Sequence, residues 1–279
     1  MRLTAVLALI VLGVALVPIA VEAAVVPFSA SGADAAAIQA TVDTFRGAIG
    51  GANNGVGGSF TTGRREINWD GVPANFSSPN AFPPDFFNVN SPRGVVFSTP
   101  GSGFQVSGTP PEFGNLNATY PDQFTTFSAP KLFTAIGSTI TDVNFFIPGT
   151  TIPATTRAFG AVFTDVDSAT SSSIAAFDAN GGLLGTFSVP AAAQGLSFLG
   201  LVVDGSTPSI GRVRITSGNA APGPNDAPPG TDVAVMDDFI YGEPTTTVPE
   251  PTTLFLLGSA LVGLGGRRLA QAVRALRRR

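Results

Sequence analysis

The chain has 279 residues, of which 33 are Gly and 23 Pro; only 12% are charged, and His and Cys are absent. These absences exclude a Ser-His-Asp triad, a Cys protease, His- or thiolate-ligated metal centres and disulfides. Abundant turn-formers and sparse charge argue for a mainly β fold of short strands.

In chain order, the first element reads as a secretory signal. Arg2 precedes a mostly apolar run from Leu3 to Ala20, broken at Pro18, and Val21-Glu22-Ala23 puts small residues at −3 and −1. The expected signal peptide is 1–23, cleaved after Ala23. Ala24 to Gly32 is a lead-in of small residues. Asp34 is a good N-cap for a helix over 34–49, because Ile38, Val42, Phe45 and Ile49 form one apolar stripe that Gly50-Gly51 ends. Gly50 to Ser59 reads as a loop.

Phe60 to Gly71 reads as a strand, with Arg65, Ile67 and Trp69 on one face and Glu66, Asn68 and Asp70 on the other. Pro73 to Pro92 reads as an irregular loop. Short strands are expected at 94–98, 103–107, 123–127, 138–147, 157–165, 173–179, 183–189, 196–203, 212–217 and 233–241. Asp178 to Gly182 is the clearest hairpin turn. Some ten antiparallel strands suggest a β-sandwich, most simply a jelly roll, over 24–243. The segments FGAVFTDVD, FDANGGLLGTFSVP and VMDDFIYG resemble the second half of sandwich domains of bacterial surface and carbohydrate-associated proteins.

The chain then changes character. A linker and the sequence Val248-Pro249-Glu250-Pro251 occupy 244–251. An apolar stretch from Thr252 to Gly266 follows, then Arg267, Arg268, Arg274, Arg277, Arg278 and Arg279. Fifteen helical residues span about 22 Å against a hydrocarbon core of about 30 Å, and Leu269 to Ala272 can extend them. The Arg cluster would hold this end in the cytoplasm. The C-terminal apolar helix is therefore expected over 252–279.

A Pro-Glu-Pro triplet, a short Leu/Gly-rich helix and an Arg-rich end resemble the PEP-CTERM sorting signal of Gram-negative bacteria. The resemblance implies recognition through Pro249, Glu250 and Pro251, processing by an exosortase, and delivery to the cell surface or extracellular matrix. The tail after the apolar stretch is longer than usual for the family.

Between Ala24 and Pro251 lie 18 acidic and 8 basic residues, a net of about −10. That balance argues against nucleic-acid partners and against binding to anionic lipid. Four carboxylates, Asp165, Asp167, Asp237 and Asp238, fall near strand ends that a sandwich could bring together, and are candidate ligands for a structural calcium ion. No other cofactor is expected. Glu66 and Asp70 could serve glycoside hydrolysis only if their side chains converged, since four residues of strand separate their Cα atoms by about 13 Å. Trp69, Tyr120 and Tyr241 are the few aromatics on which a sugar could stack as in a carbohydrate-binding module. Asn75-Phe76-Ser77 and Asn117-Ala118-Thr119 match a glycosylation sequon that a bacterial tail makes incidental. The resulting expectation is a non-catalytic exported protein associated with exopolysaccharide, with a carbohydrate-binding module or a carboxylate glycosidase as alternatives.

Overall fold

A computed structural model describes residues 24–108, 112–204, 210–224 and 230–246. The expected signal peptide, the Pro249-Glu250-Pro251 motif, the apolar C-terminal helix and the six terminal arginines lie outside the described residues.

Twelve strands and two α-helices follow in order: β1 (Val25–Gly32), α1 (Ala35–Ile49), β2 (Arg64–Ile67), α2 (Phe86–Val89), β3 (Val95–Ser98), β4 (Gly103–Val106), β5 (Phe133–Ile136), β6 (Ile140–Phe145), β7 (Ala158–Val166), β8 (Ser173–Phe177), β9 (Leu183–Ser188), β10 (Ala192–Val203), β11 (Arg212–Thr216) and β12 (Val235–Gly242). They form two antiparallel sheets, one ordered β1-β10-β7-β12-β5-β4 with β2 also on β12, the other β3-β6-β11-β8-β9. The inner eight strands read β5-β12-β7-β10 over β6-β11-β8-β9. That is the order of a jelly roll, as expected.

The two sheets differ in burial for a physical reason. β7 and β12 are buried at every position, because the second sheet covers one face and α1 covers part of the other. Their sequences are accordingly mostly apolar on both faces, broken by Thr164 and Asp165 in β7 and by Asp237 and Asp238 in β12. β6 and β8 alternate, with only their inward residues buried. α1 starts where Asp34 Oδ1 accepts from Ala37 N at 3.0 Å and ends at Gly50, whose φ is +77°. Ile38, Val42, Phe45 and Ile49 pack on β7, β10 and β12. Phe45 sits over the cross-strand pair Gly160 and Gly200, where any Cβ would come within 2.8 Å of its ring.

Three expectations are corrected. The lead-in expected over Ala24 to Gly32 is strand from Val25 on, β1, in register with β10 from Val25↔Val203 to Gly32↔Leu196. Residues 123–127 form no strand; a 3₁₀ turn at Tyr120–Asp122 leads into them, and the chain pairs later, as β5. The strand expected over Phe60 to Gly71 is only Arg64–Ile67, and Trp69 follows with φ of 63°. Its face assignment survives: Arg65, Ile67 and Trp69 are all buried.

Candidate functional site

β12 ends at Gly242, where the chain leaves the sandwich, and the first and third residues beyond the strand are held hard. Glu243 accepts from Arg65 Nε at 2.6 Å and Nη2 at 2.7 Å, with both side chains essentially inaccessible. Arg65 spends its remaining donors on the carbonyls of Gly55, Gly57 and Gly58. Glu243 also accepts from Phe60 N and Asn54 Nδ2. Two residues on, Thr245 exchanges both backbone hydrogen bonds with Thr155, at 2.8 and 2.9 Å. The exit strap is thus fixed through Thr245.

The four candidate calcium ligands are split between two places. Asp237 and Asp238 lie on β12 beside Ser128. Asp237 accepts from Phe127 N at 2.6 Å and Ser128 N at 3.1 Å, and Ser128 Oγ lies 2.5 Å from Asp238 Oδ1. Burial, then the neighbouring Asp238 charge, pushes the Asp237 carboxyl well above the usual range. Burial raises Asp238 as well. Asp165 and Asp167 lie at the far end of β7, close to Asp232. Asp165 accepts from Gln194 N at 2.7 Å and is pushed up to about 6 by burial and by the charges of Asp167 and Asp232. Asp232 receives the N–H groups of Asp167 and Ser168. Among the described residues, no three His, Cys, Asp or Glu side chains form a group that could hold a metal. Two close Asp oxygens plus N–H donors are a carboxylate's hydrogen-bonding environment, not a cation's.

The two carboxylates of the candidate glycosidase pair take different partners. Glu66 accepts from Arg46 Nη2 at 2.9 Å and Arg64 Nε at 2.6 Å, while Asp70 accepts from Lys131 N at 3.0 Å. The turn at Trp69 sends Asp70 off the strand that carries Glu66. Trp69, Tyr120 and Tyr241 are at most 1% exposed, so none offers a ring face to a sugar. Trp69 lies flat on Phe133, 4.1 Å between centroids, and its Nε1 donates to Asp237 O at 2.8 Å.

A cleft that the sequence did not flag lies beside Trp69. It holds about 270 Å³ between the 67–73 turn and the segment after α2, lined by Asn68, Asn90, Ser91 and Arg93 together with Trp69, Phe86 and Phe87. Five arginines of the domain bind a carboxylate: Arg46, Arg64, Arg65, Arg212 and Arg214. Among the described residues Arg93 forms no ion pair, stands over the Phe87 ring at 5.2 Å, and keeps a buried Nε without a hydrogen-bond partner. Burial pulls its guanidinium below the ordinary value. A guanidinium so placed can receive an anion or a polar hydroxyl. A single arginine amid apolar neighbours carried no motif by which the sequence could have pointed to it.

The PEP-CTERM protein-sorting motif matches residues 247–269. The chain is therefore an exosortase substrate. No curated protein and no solved structure matches it. The PEP-CTERM motif marks the protein for export and for a membrane-anchored intermediate before release at the cell surface. Among the described residues no helix is long and apolar enough to cross a membrane. The motif begins two residues after the fixed Thr245, and four residues of chain reach at most about 14 Å from Thr245 to Pro249.

Proposed function

We propose that this is a non-catalytic surface or matrix protein, exported after signal-peptide cleavage at Ala23, sorted through Pro249-Glu250-Pro251, and retained among exopolysaccharide. The observation that carries the reading is the sorting motif at 247–269 behind a folded jelly roll. Its acidic balance suits a protein that stays soluble in a matrix of neutral or weakly cationic polymer. The engagement of Glu66 by two arginines supports a role without catalysis.

A carbohydrate-binding module is the second reading, and the cleft at Asn68, Asn90 and Arg93 favours it. There sugar hydroxyls or a uronate carboxylate would meet polar groups instead of a stacking ring. Co-sedimentation of the released protein with the host's exopolysaccharide tests both. Retention that falls about tenfold in Arg93→Met supports binding at the cleft. Retention unchanged by Arg93→Met leaves the polysaccharide on another surface, and no retention at all removes polysaccharide association from both readings.

A further inference from the structure

Both ends of the described domain emerge together. β1 begins at Val25 opposite Val203, with Asp204 N donating to Ala24 O at 2.7 Å, and Thr245 is fixed to Thr155 on the same side. This is the end of the sandwich where β2, β3, β7, β9 and β11 begin and β6, β8, β10 and β12 finish.

The large apolar side chains exposed among the described residues are Val26, Val56, Phe60, Val89, Ile152 and Leu183, 43–64% accessible. All six lie at this end. Val26 opens β1 and Leu183 opens β9. Val56 sits between Gly55 and Gly57, whose carbonyls bind Arg65, and Phe60 N donates to Glu243. Val89 and Ile152 flank the contact of Asn88 Nδ2 with Thr150 O at 2.7 Å. Exposed apolar residues scattered singly need no explanation, but a set confined to one end does. Arg157, at the start of β7, forms no ion pair among the described residues, and its buried Nε has no hydrogen-bond partner. The opposite end carries the carboxylates Asp165, Asp167 and Asp232.

We propose that this end is a membrane-docking face, which lies against the phospholipid surface while the chain is held as the anchored intermediate. The proposal rests on the exosortase-substrate reading. The chain itself argues for lipid as the occupant. Thr245 is fixed, and the apolar stretch begins at Thr252, seven residues away and at most about 25 Å. A span anchored that close holds the exit end of the domain within a short reach of the headgroups. Aliphatic and Phe side chains partition into that interface. Asp178 and Asp204 share the end, so the apolar contacts carry the attachment and anionic lipid strengthens it little.

The absence of native Cys makes the test direct. The full chain, with a single Cys at Val56, Val89, Ile152 or, at the opposite end, Ala169, is labelled with an environment-sensitive fluorophore and reconstituted in phospholipid vesicles with and without brominated acyl chains. Docking predicts that the chain floats with the vesicles, that brominated lipid quenches the labels at 56, 89 and 152, and that the label at 169 keeps its emission. A chain that floats with all four labels equally unquenched overturns docking and leaves anchoring intact. Labels shielded from aqueous iodide yet untouched by brominated lipid assign the face to protein, such as a second copy, and also overturn the proposal. A chain that does not float overturns anchoring and docking together.

Discussion

Arg65, near the start of β2, and Glu243, just past the end of β12, form a two-pronged ion pair at 2.6 and 2.7 Å in which both side chains are buried. The pair ties the 55–60 loop to the point where the chain leaves the fold. Removing one charge strands the other without water. Glu243→Gln is expected to cost about 3–5 kcal/mol, read as a lower urea midpoint. Arg65→Met combined with Glu243→Leu should cost less than the two single changes added, because no buried charge is left unpaired. Strict additivity would mean that the pair does not act as a unit.

Trp69 is the protein's only Trp and the centre of its aromatic core. It stacks on Phe133 and meets Phe82, Phe87 and Phe239 edge-on. Trp69→Ala is expected to destabilise by about 3–5 kcal/mol. Trp69→Phe should cost about 1–3 kcal/mol, chiefly by leaving Asp237 O without its donor. Far-UV circular dichroism in urea checks both, since the variants lose the fluorescent probe. A neutral Trp69→Phe would mean that the Nε1 hydrogen bond contributes nothing.

Asp165 gives a pH signature. Its carboxyl is raised in the fold to about 6 from an ordinary 3.8, so the stability it contributes is fully present below about pH 4 and is lost as pH rises through 6. Asp165→Asn keeps an acceptor for Gln194 N and suits the positive φ of 62° at this position. The variant should exceed the wild type in stability by about 1–2 kcal/mol at pH 8, a figure reduced for solvent screening, with the gap closing below pH 5. Thermal melts at the two pH values measure it. A constant gap would mean that Asp165 does not titrate in this range.

Asp165 and Asp167 stand apart from Asp237 and Asp238, and among the described residues neither pair gathers a third carboxylate into a metal-holding group. Melting temperatures with excess calcium and with EDTA are expected to coincide. A higher value with calcium would reinstate a metal site.

The fold was readable where a sequence signal and a physical cause coincide. α1 shows an Asp cap and an apolar stripe, and the strands from β6 to β12 show apolar runs bounded by turn residues. β1 was hidden because Pro, Ser, Ala and Gly have little intrinsic strand preference, and its form comes from pairing with β10. The 123–127 segment has strand composition, but its Phe124 packs beside Tyr120 and Leu132 in a side cluster and its Phe127 against the cluster under α1. Trp69 alternates correctly with Arg65 and Ile67 yet ends the strand, since a side chain's burial parity does not fix its φ. The sorting tail was legible through its resemblance to the PEP-CTERM signal, carried by the order of Pro249-Glu250-Pro251, the apolar stretch and the terminal arginines. The cleft at Arg93 was not, because it forms from segments that only tertiary packing brings together.

The central claim is that the chain is cut at its tail and released. Intact mass of the protein recovered from the host's surface and medium tests it most directly. The account predicts a chain starting at Ala24 and ending between Pro249 and Thr252. A mass retaining Arg279 would contradict it and leave a permanently membrane-held sandwich.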